Sequence, residues 1–247
     1  MIDTHAHLDA CAEAPEVLVV RAREAGVDRI LTVGTSVDGS REALRLADQH
    51  EGVAAVLGVH PHAAGGDDAD RLDELRELLA HPSAVAVGET GLDFYRDYAP
   101  RDRQLDLFER ELALASELRK PVVVHTRAAD AETMAVLAGF EGDVVLHCFS
   151  SPRLLEPAVE RGYYVSFAGN VTYRNAGDLR LVATEVPAER ILAETDCPYL
   201  APVPRRGRPN EPANVVHTVA ALAAARGEQL DALAAEIDVN ASRVFAL

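Results

Sequence analysis

Tryptophan is absent from the 247 residues, lysine occurs once, at Lys120 beside 23 arginines, and cysteine only at Cys11, Cys148 and Cys197. An odd cysteine count without a Cys-x-x-Cys pair excludes a disulfide framework and a zinc knuckle, so the thiols are read as reduced. No apolar run approaches the roughly 20 residues that cross a bilayer, which argues against membrane insertion. The segment through Cys11 has neither the basic nor the apolar region of a secretory signal, and a cytoplasmic location is expected. Basic charge is scarce as well. A formal net charge of −16 argues against a broad surface that grips duplex DNA by counterion release.

What remains is ordinary for a soluble globular chain, 48% hydrophobic and 26% charged residues. The length matches one (β/α)8 barrel of roughly 250 residues. Short β-branched runs alternate with helical patterns nearly end to end, the mark of repeated βα units. Strands are expected at Met1–Asp3, Arg29–Val33, Ala54–Gly58, Val85–Gly88, Val122–Val124, Val144–Leu146, Tyr164–Ser166 and Ile191–Glu194. Helices are expected near Pro15–Ala25, Arg41–Gln49, Arg71–Ala80, Asp102–Arg119, Ala131–Ala138, Pro152–Arg161 and Ala176–Ala183, with two more beyond Pro212. Leu105, Phe108, Leu112 and Ala115 form one stripe of the fourth helix, and Pro121 stops it. No linker or low-complexity tract divides the chain, so residues 1–247 are read as a single α/β TIM-barrel domain with extra C-terminal helices.

Residues able to bind metal fall at the carboxyl ends of these strands, where barrel enzymes build their sites. His5 and His7 are two apart, so their imidazoles share a face. Glu89 lies in a Gly-Glu-Thr-Gly segment read as a turn after the fourth strand, where an unpaired buried carboxylate would be costly. His125 and His147 end apolar runs. Asp196 closes the eighth strand, with Glu194 placed one layer deeper. Cys148 and Cys197 each follow such a residue and are expected to point away from the lumen. Six ligands of nitrogen and carboxylate type suit two divalent ions such as zinc, manganese or magnesium.

The segments HisAlaHisLeuAsp, GlyValHisProHis, GlyGluThrGlyLeuAspPheTyrArg, ProValValValHisThrArg, HisCysPheSer, GluThrAspCysProTyrLeu and AsnGluPro, in that order from His5 to Asn214, resemble the TatD family of metal-dependent deoxyribonucleases. The resemblance implies an amidohydrolase-type TIM barrel, a divalent-metal pair and hydrolysis of DNA phosphodiesters, often from the 3′ end. It implies a first ion on His5, His7, Glu89 and Asp196 and a second on Glu89, His125 and His147, with Glu89 bridging. His60 and Arg127 would contact the substrate phosphate.

The residue chemistry agrees with that division. Water held between two ions is nucleophilic near neutral pH, Asp196 and Glu89 are the catalytic carboxylates, and Arg127 offers a forked donor to a phosphoryl oxygen. The expected partner is DNA, as single strands or 3′ ends, met by a monomer. Few rings are available for base stacking, among them Phe149, Tyr95 and Tyr173. Arg205, Arg206 and Arg208 either track a nucleic-acid backbone or form a solvated surface. The competing reading is a phosphoesterase or amidohydrolase for a small substrate, since barrels host many chemistries. A lysine bridging two ions is disfavoured, because Lys120 precedes the fifth strand at the far end of the barrel.

Overall fold

The apolar runs rich in Val, Ile and Ala become eight parallel strands, each hydrogen-bonded to the next in sequence order, in a computed structural model that describes residues 1–247. They are β1 (Ile2–Ala6), β2 (Arg29–Gly34), β3 (Val53–Leu57), β4 (Ala84–Asp93), β5 (Val122–Arg127), β6 (Val144–Leu146), β7 (Tyr164–Phe167) and β8 (Ile191–Ala193). The circle closes beyond the regular end of β8. Ala6 bridges to Cys197, the His7 amide donates to the Cys197 carbonyl at 2.8 Å, and the Asp196 amide donates to the His5 carbonyl at 2.9 Å. Closure leaves no free sheet edge, and 69 buried residues form one contiguous core inside and around the barrel.

Helices α1 (Pro15–Glu24), α2 (Val37–Gln49), α3 (Leu72–Leu79), α4 (Arg101–Leu118), α5 (Asp130–Leu137), α6 (Leu155–Glu160) and α7 (Gly177–Glu185) fill the crossovers, and α8 (Val215–Arg226) and α9 (Leu230–Phe245) follow β8. Two of them begin where the sequence favours it. The Ser36 hydroxyl accepts from the Gly39 amide at 2.9 Å to cap α2, and Pro15 occupies the first position of α1. α9 packs against β1 and β8, and Asn240 on its inner face donates to the carbonyls of Ala188 and Ile191 at 2.8 and 3.0 Å. No helix is long and apolar enough to cross a membrane.

Three strands run past their expected ends in a way that moves the chemistry, among them β5, which continues to Arg127 and so holds His125 and Arg127 within it. β1 continues through Ala6, so His5 lies inside a strand. β4 runs ten residues to Asp93, so the Gly-Glu-Thr-Gly segment is strand and not turn. Gly91 permits this: it sits at φ +125°, and a Cβ there would fall 2.1 Å from the His125 carbonyl oxygen of β5. The close approach of β4 to β5 sets Glu89 and His125 against each other at one end of the barrel. Lys120 lies at the other end, donating from Nζ to the carbonyl of Ala84, the first residue of β4.

Candidate metal centre

β4 delivers Glu89 to the middle of the barrel mouth, and five imidazoles from four other strand ends converge on it. Glu89 Oε1 lies 2.9 Å from His125 Nδ1, 2.9 Å from His147 Nε2 and 3.3 Å from His60 Nε2. Its other oxygen, Oε2, lies 3.5 Å from His5 Nε2 and 3.7 Å from His7 Nε2. Asp196 Oδ1 is 3.4 Å from His7 Nε2. Donor atoms of three trios, His5 with Glu89 and His147, His5 with His7 and Asp196, and His60 with Glu89 and His125, each lie within 4.8 Å of one another. All six residues expected as ligands therefore meet. His60, expected only at the substrate, stands beside them.

The hydrogen bonds behind the imidazoles test whether a cation fits. Glu194 Oε1 lies 3.0 Å from His147 Nδ1; the same carboxylate accepts from the Cys148 amide at 2.8 Å and from the Ser166 hydroxyl at 2.5 Å. A carboxylate that accepts puts the His147 proton on Nδ1, which leaves the Nε2 lone pair facing Glu89 Oε1. His7 is oriented the same way, with Nδ1 3.3 Å from the Val33 carbonyl. Its Nε2 faces Asp196 and stands 3.3 Å from His5 Nε2. Lone pairs converging on buried carboxylates repel unless a positive charge lies among them, and the nitrogen and oxygen donors are those that zinc, manganese or magnesium accept. The residues fit divalent cations.

Where no cation is bound, protons supply that positive charge: burial alone would discharge His7, but hydrogen bonding to Asp196 and the charge of Glu89 outweigh it and raise its pKa to about 9, a proton that a cation would displace. Burial likewise pushes Glu89 up, yet His147, His60 and His125 hold it well below the carboxylate range. His60 differs from its neighbours in tautomer. Its Nδ1 accepts from the His62 amide at 3.1 Å, so the proton sits on Nε2 and is donated toward Glu89.

Several residues that shape the site carry no role in the sequence reading. Asp93 is buried; its Oδ2 lies 2.9 Å from His62 Nε2 and 3.4 Å from His125 Nε2, while Oδ1 accepts from the amides of Tyr95 and Arg96 at 2.9 Å each. Burial opposes its charge, but His125, the Arg96 amide and His62 hold its pKa far below the usual range. Only the full length of β4 reveals it: four positions beyond Glu89 on the same strand, Asp93 returns to the same face. From outside the barrel, α4 supports the same segment. Gln104 accepts from the Asp93 amide at 2.8 Å, and Glu111 accepts from the Val59 amide at 2.8 Å and the Thr90 hydroxyl at 2.5 Å.

A cleft of about 970 Å³ opens above the cluster, lined among others by Arg96, Tyr98, Arg127, Cys148 and Tyr199. Two expectations are corrected here. Cys148 faces this cleft, because its backbone at φ +46° is left-handed and breaks the alternation that would have turned it outward. Phe149 is 2% exposed and packs edge-on against Phe167, so it offers no ring to a ligand. Cys197 is buried, as expected, with Sγ 3.7 Å from that of Cys11. Arg127 lies on the rim with its guanidinium 4.1 Å above the Tyr95 ring, and Arg206 rests 4.0 Å above Tyr173.

Comparison with known proteins places the chain in a family. The family model described as TatD related DNase matches residues 2–246. An "Uncharacterized metal-dependent hydrolase TatD" of Mycobacterium tuberculosis is 38% identical, with 100% of this chain and 98% of that protein aligned. A "3'-5' ssDNA/RNA exonuclease TatD" of Pantoea vagans is 40% identical over 93% of this chain and 92% of its own length. The crystal structure of YJJV, a TatD homolog from Escherichia coli K12, superposes with a TM-score of 0.93 at 30% identity, covering 100% of this chain and 98% of that one. With its barrel, its cation-fitting cluster and a match over nearly every residue, the chain belongs to the TatD-related DNase family of metal-dependent hydrolases.

Proposed function

We propose that this hydrolase removes nucleotides from the 3′ end of single-stranded DNA, as a cytoplasmic monomer using two divalent ions. The observation that carries the reading is the convergence of five imidazoles on one buried carboxylate, Glu89, beneath an open cleft with Arg127 on its rim. His5, His7, Glu89 and Asp196 would hold the first ion, and Glu89, His125 and His147 the second. When bound, such a pair would supply an acidified water and positive charge beside a phosphoryl oxygen. Asp196, which lines the cleft, orients the attacking water and accepts its proton at a carboxylate oxygen. His60 Nε2–H and the Arg127 guanidinium donate to the phosphate oxygens and fix the scissile bond in line. The His60 tautomer supports this role over metal ligation, because the nitrogen aimed into the site carries a proton.

Purified protein with magnesium or manganese should shorten an unblocked single-stranded oligonucleotide and spare the same strand with a blocked 3′ end. Chelator and Asp196→Ala should each abolish shortening. Cutting of both strands would make it an endonuclease, and turnover of a small phosphodiester without any cutting would move the assignment to small substrates.

Glu194→Ala should lower activity about 10- to 100-fold, the usual loss when the partner of a metal-binding histidine is removed. His147 would lose the acceptor that fixes its tautomer. Titrating apo-protein with manganese checks this directly: unchanged affinity would refute the orienting role.

A further inference from the structure

We propose that Tyr98 and Tyr199 form the two walls of a nucleobase clamp, one unpaired base stacking on each side of the scissile phosphate; this rests on the exonuclease reading above. Tyr98 is 65% exposed and Tyr199 59%, whereas Phe94, Phe108, Phe149, Tyr163, Tyr164, Phe167 and Phe245 are buried. Both exposed rings line the cleft over the metal-type residues. Tyr98 follows β4 and stands edge-on to His62 with ring centres 4.7 Å apart; Tyr199 follows β8 and lies 6.1 Å from His7. In an eight-stranded barrel β4 and β8 are half a turn apart, so the two rings come from opposite sides of the mouth, and both line the cleft that Glu89 and Asp196 also line.

The backbones below the rings are tied down. The Tyr199 amide donates to the Asp196 carbonyl at 2.9 Å, and its own carbonyl accepts from Asn210 Nδ2 at 2.6 Å. Next to Tyr98, the Ala99 carbonyl accepts from Gln104 Nε2 at 2.9 Å. Tyr95 and Tyr173 already carry an arginine on one face, whereas Tyr98 and Tyr199 carry none. Two exposed rings without an arginine stacked on them, one beyond β4 and one beyond β8, match a strand that crosses the mouth with its bases splayed. Paired bases offer no such faces, and a chain of net charge −16 has little bulk attraction for a backbone, so stacking supplies the selectivity for single strands.

The test is steady-state cleavage of an unblocked single strand by wild type, Tyr98→Ala, Tyr199→Ala and the two Phe variants, repeated on strands carrying one abasic nucleotide at the terminal or penultimate position. Each Ala variant should raise KM about 5- to 100-fold, the equivalent of roughly 1–3 kcal/mol per stacked base, with most of the loss in KM and not kcat. Phe should restore it. On the strand whose missing base faces the altered wall, the Ala effect should disappear. Unchanged KM on the intact strand, or an equal loss on every abasic strand, overturns the clamp while leaving the exonuclease assignment intact. If wild type shortens none of these strands, the exonuclease assignment fails first and the clamp with it.

Discussion

Glu89→Gln is expected to reduce hydrolysis by at least about 1,000-fold and to leave the protein short of metal after dialysis. Residues that touch only a ligand typically cost 10- to 100-fold when removed, and Glu89 is the group on which the ligands themselves converge. Its Oε1 faces His125 and His147 at 2.9 Å each, and its Oε2 faces His5 and His7. An amide of the same shape removes the negative charge that two adjacent cations need and offers one oxygen where the carboxylate offers two. The side chain is 4% exposed, so water cannot substitute for the missing oxygen. Metal content by elemental analysis and the rate on the unblocked strand should fall together. A variant that kept both at wild-type levels would remove Glu89 from the bridging position.

Glu111→Gln should raise stability, and more so as pH rises. Glu111 is fully buried on α4, and burial lifts its pKa to about 8, only partly offset by the hydrogen bonds from Thr90 and Val59. The unfolded chain releases this proton near 4.5 and the folded protein near 8. Between these values the folded state holds a proton that the unfolded state has lost, so stability falls as pH rises through the window. The separation corresponds to roughly 5 kcal/mol at 1.36 kcal/mol per pH unit. Glutamine keeps an oxygen for the Val59 amide, and its amide group can donate to the Thr90 hydroxyl, so the variant should fold with the same contacts and without this dependence. Urea unfolding of both proteins from pH 5 to pH 8.5 should show curves that separate on the alkaline side, the variant being the more stable. Parallel curves would show that Glu111 titrates no differently in the folded protein.

His5, His7, Glu89, His125, His147 and Asp196 were legible in the sequence because each closes or interrupts an apolar strand, and in a parallel barrel all such positions come to one face. The helix limits were legible within a few residues for the same kind of local reason, periodicity ended by proline or glycine. The real length of β4 was not. Glycine on either side of Glu89 reads as a turn, and only the neighbouring strand β5, close enough to demand Gly91, makes it strand. Cys148 and Asp196 illustrate the same limit: both take left-handed backbone, at φ +46° and +54°, and the alternation rule has no means of anticipating it.

The order of strands, the barrel and the kinds of atom that face one another at its mouth thus follow from the sequence alone, since hydrophobic period and residue type are local properties. Tertiary structure decided which imidazole nitrogen carries each proton, through Glu194 behind His147 and the His62 amide behind His60. It also brought Gln104 and Glu111 of α4 beneath the strand that holds Glu89, and left Tyr98 and Tyr199 bare while burying Phe149. Those outcomes depend on contacts between segments far apart in the chain, where burial and hydrogen-bond partners are fixed only once the barrel has closed.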